Sequence, residues 1–279
     1  MSVAACGGDG NAVPDAADPN DVDGDGVANA ADNCAMSSNV DQHDEDGDAI
    51  GDACDNCPTA ANPTQADTTE LAVQAFEDGV GDACDVRPGL SGDKVGGLYT
   101  WATIEQAAAW NGSGWVIDGD ELRTTGDARW AARRGEQGDG LIVVARLTAL
   151  NLAATTAGGS LTIAIDGDGM NAGASCTLRA NNGGGVEVVA SEVGGAMTVE
   201  SVTLSATEPQ TLVAWRRLTI TANQIACRFL RGDTDSSPDE AVAPLTDDVI
   251  TGAYAIATTG ATANVSSVIV YTSPGPKNP

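Results

Sequence analysis

Residues 21–34 read DVDGDGVANAADNC. Asp21, Asp23 and Asp25 alternate with other residues, Gly26 follows, and Asn29, Asp32 and Cys34 close the run. Carboxylates at every second position repel one another, so this stretch decides how the front of the chain folds. The surroundings narrow the choice. Residues 1–94 hold 21 Asp and Glu against only Arg87 and Lys94, and Ile50, Leu71, Phe76 and Leu90 are nearly all their large apolar residues. Such a segment cannot offset its ordering entropy by burial alone. It is either a solvated, disordered acidic linker or a segment folded by bound cations.

The spacing favours the cations. Asp21, Asp23, Asp25, Gly26, Val27, Asn29 and Asp32 fall at positions 1, 3, 5, 6, 7, 9 and 12 of a loop, the spacing of a calcium loop of the EF-hand type. Calcium takes six to eight oxygens, and carboxylates two residues apart on a tight turn converge on one centre. Gly26 permits the turn, and Val27 offers its backbone carbonyl. Asp44, Asp46, Asp48, Ala49, Ile50, Asp52 and Asp55 repeat the pattern with alanine in the glycine slot, where strain or a weaker site is expected. A third copy keeps Asp78, Gly79, Val80, Asp82 and Asp85, but counting back puts Gln74 and Phe76 at positions 1 and 3. The insertion TTELAVQAFE (68–77) accounts for the loss, and Asp67, Glu70 and Glu77 are the nearby carboxylates able to replace them. His43 reads as a solvated loop residue, not a ligand.

The flanks NAADNCAMSSN and ACDNCPTAANPTQ carry Pro, Asn and Cys rather than helical periodicity. Together, DVDGDGVANAADNC, NVDQHDEDGDAIGDACDNCPTAANPTQAD and DGVGDACD resemble thrombospondin type 3 repeats over residues 18–88. The resemblance implies a chain with little regular secondary structure wrapped around a row of calcium ions, docked against a lectin-like domain and stapled by a disulfide in each repeat. Six cysteines allow 15 pairings by count alone; the resemblance implies Cys34 with Cys54 and Cys57 with Cys84. Each such bridge stabilises by roughly 3 kcal/mol. The calcium is expected to be structural, held at about 0.1–1 mM as in extracellular modules.

The remaining front cysteine follows Val3-Ala4-Ala5 and precedes Gly7-Gly8-Asp9-Gly10. This resembles the end of a bacterial lipoprotein signal, which implies diacylglyceryl attachment at Cys6 and a flexible tether over residues 1–17. A free or intermolecularly bridged thiol is the alternative. Met1 to Cys6 is too short for a complete secretory signal, which suits a mature or trimmed form, and no run of 18 apolar residues marks a spanning helix.

After the repeats (18–94) the text changes. Residues 95–279 carry 19 acidic against 11 basic residues and are rich in Val, Ile, Leu, Thr and Ala. Strands are predicted at 115–117, 121–124, 129–132, 141–150, 161–166, 175–180, 186–191, 197–204, 211–221, 224–231, 252–258 and 264–272, punctuated by turns such as Asn181 to Gly185. Only TIEQAAAW (103–110) reads as a helix. A dozen strands at this spacing predict a mainly β fold, an antiparallel β-sandwich of jelly-roll type. WNGSGWVIDGDELRTTG and GAYAIATTGATANVSSVIVY make residues 97–273 resemble concanavalin-like or laminin-G-like jelly rolls. Cys176 and Cys227 lie in strands and either bridge or remain buried thiols. Asp166 to Asn171 (DGDGMN) reads as a turn, and Arg133-Arg134 and Arg216-Arg217 as strand-face or partner-contact charges. Trp101, Trp110, Trp115, Trp130 and Trp215 form core or, alternatively, a sugar-stacking platform.

A net charge of −27 argues against nucleic acid and anionic lipid as direct partners and for multivalent cations. The sequence holds no H-E-x-x-H, no G-x-S-x-G and no phosphate loop, and its one histidine lies in the repeats. No catalysis is expected. The sequence predicts an extracellular or cell-surface structural or adhesive protein stabilised by calcium, with self-assembly into a fibre as a sharper form. The alternative is a carbohydrate-binding lectin-like module on a calcium-rigidified stalk. Any membrane contact runs through a lipid on Cys6.

Overall fold

The computed structural model describes residues 19–69, 77–85, 92–101, 107–108, 110–124, 126–133, 139–152, 158–166, 173–218, 223–232, 238–246 and 252–274. The strands are β1 (Lys94–Tyr99), β2 (Asn111–Ser113), β3 (Val116–Ile117), β4 (Leu122–Thr124), β5 (Ala128–Arg133), β6 (Asp139–Asn151), β7 (Ser160–Ile165), β8 (Ala174–Ala180), β9 (Val186–Glu192), β10 (Met197–Val202), β11 (Gln210–Leu218), β12 (Asn223–Arg231), β13 (Asp239–Pro244), β14 (Ala253–Thr259) and β15 (Thr262–Pro274). They build two antiparallel sheets. The eight-stranded one runs β13-β12-β11-β6-β15-β4-β3, with β1 also pairing β15; the seven-stranded one runs β10-β9-β8-β7-β14-β5-β2.

Alternation along the strands fills the space between the sheets. Leu141, Val143, Ala145 and Leu147 of β6, Leu212 and Ala214 of β11, and Ile225 and Phe229 of β12 meet Leu161, Ile163 and Ile165 of β7 and Tyr254 and Ile256 of β14 in one cluster. Cys176 of β8 and Cys227 of β12, both fully buried, are disulfide-bonded with Cα atoms 5.3 Å apart, so the bridge ties one sheet to the other. The tryptophans follow the core reading. Trp101, Trp110 and Trp115 are buried, Trp101 lies 5.8 Å from Trp110 and 6.2 Å from Trp130, and Tyr99 bonds Tyr254 through their hydroxyls at 2.8 Å. Trp215 lies on the outer face with the Arg217 guanidinium 4.3 Å from its ring centroid.

The outer face of the eight-stranded sheet is also apolar. Ile142, Val213, Ile269 and Tyr271 form a second cluster there with Val80 of the repeats, flanked by Leu98, Val144, Trp215, Leu230 and Cys84. The repeats therefore lie along this sheet rather than standing apart as a free stalk. Arg146 of β6 donates to the Thr59 carbonyl at 3.0 Å. Glu45 sits beside Ser266, where β15 changes register, and beside Arg146, and burial raises its carboxyl.

Every predicted strand has its counterpart, but β1, β2 and β13 were not predicted. Each is an edge segment of low strand propensity: Gly96 and Gly97 interrupt β1, β2 is Asn-Gly-Ser, and β13 begins with two acids and ends on Pro244. Of the predicted helix, residues 103–106 and 109 lie outside the described residues; Ala107 and Ala108 form a 3-10 turn closed by Trp110 N–H on the Ala107 carbonyl. Arg216 corrects its expectation. Its side chain points between the sheets and pairs at 2.9 Å with buried Asp166, which also accepts from Gly252 N–H. Arg217 keeps to the outside and pairs with Glu240. The rest of the 166–171 turn, Cys6 and Arg134 lie outside the described residues.

Candidate metal centre

In the first loop Asp21 folds the chain over itself, its Oδ1 accepting from Gly24 N–H (2.8 Å) and its Oδ2 from Gly26 N–H (3.0 Å). Asp25 Oδ1 accepts from Val27 N–H at 2.8 Å. The second loop repeats each bond: Asp44 accepts from Gly47 (2.8 Å) and Ala49 (3.0 Å), and Asp48 from Ile50 (2.8 Å). The turn requires a left-handed residue, and Ala49 takes it with φ 76° where Gly26 has φ 94°, so the expected strain is present. In each loop one oxygen of Asp21, Asp23 and Asp25, or of Asp44, Asp46 and Asp48, lies within 4.8 Å of the others.

Position 12 closes the ring. Asp32 Oδ1 accepts from Cys34 N–H (2.8 Å) and Gln42 Nε2 (2.9 Å), and Asp55 Oδ1 from Cys57 N–H and Gln65 Nε2 (both 2.7 Å). The second oxygens of Asp23, Asp32, Asp46 and Asp55 are buried with no hydrogen-bond donor. Buried acceptors of this kind are costly unless a cation meets them. The electrostatics agree: burial and the carboxylates of Asp55 and Asp48 push Asp46 up to about 7, and burial likewise raises Asp23 and Asp55. An oxygen-only, carboxylate-rich ring suits a hard divalent ion, and these residues fit calcium.

Position 9 has a different task. Asn29 Oδ1 accepts from Val22 N–H (3.0 Å), Asp52 Oδ1 from Glu45 N–H (3.0 Å) and Asp82 Oδ1 from Thr68 N–H (2.8 Å), each clamping position 2 of its loop. The other oxygen of Asp52 meets His43 Nδ1 at 2.8 Å, a bond that raises the imidazole; His43 is thus a structural partner, half-buried rather than solvated. Four donors from Thr68 and Thr69 hold Asp82 down at about 2.

The same bonds place Asp67. Gly79 N–H donates to Asp67 Oδ2 at 2.9 Å, as Gly26 does to Asp21 and Ala49 to Asp44. Asp82 N–H donates to the Ala66 carbonyl, as Asp52 N–H does to that of His43. Asp67, not Gln74, therefore holds position 1 of the third loop, and Asp78 holds position 5. Gln74, Phe76 and Glu70 lie outside the described residues. Asp78 Oδ1 accepts from Val80 N–H (3.0 Å), and Asp85 follows at position 12. The position-7 side chains of Val27 and Ile50 are half-buried, whereas that of Val80 is 0% exposed.

A supporting layer went unread in the sequence. Asn56 Nδ2 donates to the Gln65 carbonyl (3.1 Å) and Asn62 Nδ2 to Asn56 Oδ1 (2.7 Å). A Cβ at Gly81 would lie 2.3 Å from Asn56 Oδ1, and one at Gly51 equally close to Asn33 Oδ1, which explains the glycine of both GDACD stretches. The repeated Asn-x-x-Gln-x-Asp at 39–44 and 62–67 was the available signal. Disulfides Cys34–Cys54 and Cys57–Cys84 stand as the resemblance implied, with Cα separations of 5.7 and 5.5 Å.

Residues 8–42 and 42–65 match the family model of the thrombospondin type 3 repeat, so the front segment carries repeats of this type; the matches end before the third loop. Such repeats and disulfides are typical of extracellular proteins. No curated protein matches the chain. Among solved structures, a legume lectin-like domain from Entamoeba histolytica is 8% identical, with 60% of this chain and 92% of that chain covered at a TM-score of 0.46. Lectin I from Ulex europaeus, in complex with the methyl glycoside of α-L-fucose, is 9% identical over 66% of this chain and 99% of its own at 0.42. Winged bean acidic lectin, complexed with methyl-α-D-galactose, is 6% identical over 65% and 99% at 0.41.

Proposed function

We propose that the protein is an extracellular structural or adhesive surface protein whose repeat segment is held by calcium. The observation that carries the reading is the ring of donorless carboxylate oxygens, Asp23 and Asp32 in one loop and Asp46 and Asp55 in the next. Asp21, Asp23, Asp25 and Asp32 with the Val27 carbonyl hold one ion, and Asp44, Asp46, Asp48 and Asp55 with the Ile50 carbonyl hold a second. Asp67, Asp78, Asp85 and the Val80 carbonyl serve a third. Asn29, Asp52 and Asp82 support the loops from position 9. The ions supply charge balance and rigidity, and the disulfides limit the alternatives open to the chain.

Limited proteolysis tests this reading. Calcium should protect residues 19–85 and a chelator should expose them; equal protection under both conditions would count against it. Assembly into a fibre is the sharper form, read by electron microscopy with and without chelator, where monomers under both conditions exclude it. A glycan site on the sandwich would have to be built without Trp101, Trp110 and Trp115, which are buried.

A further inference from the structure

We propose that the cleft between the repeats and the outer face of β11 and β12 is a binding site for a small aromatic carboxylate. The proposal goes beyond the calcium reading, which gives this cleft no task.

The cleft encloses about 230 Å³. Sites for drug-sized molecules begin at roughly 300 Å³, so this one has room for a single ring and its substituents. Val144 of β6, Val213 of β11 and Leu230 of β12 give it an apolar floor. Thr59, Ala60 and Ala83 of the repeats border it with short side chains, which leave the space open.

Two polar groups in this apolar setting have unspent hydrogen-bonding capacity. Tyr271 of β15 lines the cleft at 2% exposure, and its hydroxyl has no hydrogen-bond partner among the described residues. A buried hydroxyl without a partner is costly, so a ligand oxygen placed there meets a donor that is already desolvated. Arg228 of β12 pairs through Nε with Glu240 at 2.8 Å and lies 5.4 Å from the centroid of the Trp215 ring. Its terminal nitrogens make no hydrogen bond among the described residues. The ion pair and the ring together hold the guanidinium, and its free end is a planar fork that matches a carboxylate. Trp215 has Arg217 at 4.3 Å as well, so its ring serves to orient cations rather than to stack on a sugar.

Charge fixes the direction of entry. Arg217 shares the Glu240 carboxylate with Arg228, so one negative charge faces two positive ones at this end. Toward the other end, burial and then the carboxylates of Asp55 and Asp85 raise the Tyr271 phenol, which stays a donor. An aromatic acid therefore lies with its carboxylate on Arg228 and its far substituent toward Tyr271.

The probes are benzoate and 4-hydroxybenzoate, titrated calorimetrically into the full chain at constant millimolar calcium. Benzoate should bind with a Kd of roughly 1 mM or tighter, and neutral benzyl alcohol about tenfold or more weakly than that. The 4-hydroxyl should tighten binding about threefold or more, and Tyr271→Phe should abolish this gain while leaving benzoate unchanged. Arg228→Gln should weaken both acids about tenfold or more. If Arg228→Gln does not fold, the indole N–H resonances of the wild-type chain serve. There 4-hydroxybenzoate should shift that of Trp215 saturably and leave those of buried Trp101, Trp110 and Trp115 in place. Equal binding of benzoate and benzyl alcohol, unaltered binding by a folded Arg228→Gln chain, an unmoved Trp215 resonance, or no binding of either acid at about 10 mM would overturn the site. Each of these results leaves the calcium reading standing, since that reading is decided by proteolysis with and without chelator.

Discussion

Aspartates in the loops do two jobs that look identical in the sequence. Asp46 turns an oxygen with no donor into the ring, whereas both oxygens of Asp52 accept bonds, from Glu45 N–H and His43. Asp46→Asn should weaken calcium binding at the second loop at least about 100-fold, and Asp52→Asn, which keeps an acceptor for Glu45, at most about tenfold; calorimetric titration separates them. The pH dependence follows from Asp46 as well. In the ion-free loop its carboxyl is pushed up to about 7, above its unfolded value. The proton it keeps therefore stabilises the empty loop at low pH, and this stability is lost as pH rises through about 7. Calcium displaces the proton, so filling this loop should release about 0.9 proton at pH near 6 and about 0.1 at pH near 8. Titration in buffers of different ionisation enthalpy measures this, and equal release at both values would contradict the assignment. Asp67 shows where legibility ended. Spacing counted back from Gly79 failed because an insertion does not disturb hydrogen bonds made at the two ends of the loop.

Strands with Val, Ile and Thr in alternation were legible because burial between two sheets requires that pattern. The short edges β1, β2 and β13 were not, since their stability comes from pairing with neighbours rather than from their own residues. Nor could the sequence place Cys176 and Cys227 in opposite sheets or turn Arg216 inward, because both facts depend on which strands face each other. Each has a measurable consequence. Replacing both cysteines by alanine opens a closed loop with a sequence separation of 51 residues and should destabilise by about 4 kcal/mol, lowering the melting temperature of the sandwich by about 10 °C. Asp166→Asn leaves the Arg216 charge buried against a neutral partner and should cost about 3–5 kcal/mol in denaturant unfolding.

Across the whole molecule, two ways of stabilising a chain meet at one surface. The sandwich has an ordinary apolar core, and the repeats have almost none, yet Val80 and Cys84 join the outer face of the eight-stranded sheet in an apolar cluster. On the proposed calcium reading, acidity in the front segment becomes a folding device, and the segment's place on the sheet could not be read from composition. The decisive measurement is the anomalous diffraction of crystals grown in millimolar calcium. The account predicts one peak enclosed by Asp21, Asp23, Asp25 and Asp32 and another by Asp44, Asp46, Asp48 and Asp55. Intact loops with no peak inside either ring would contradict it.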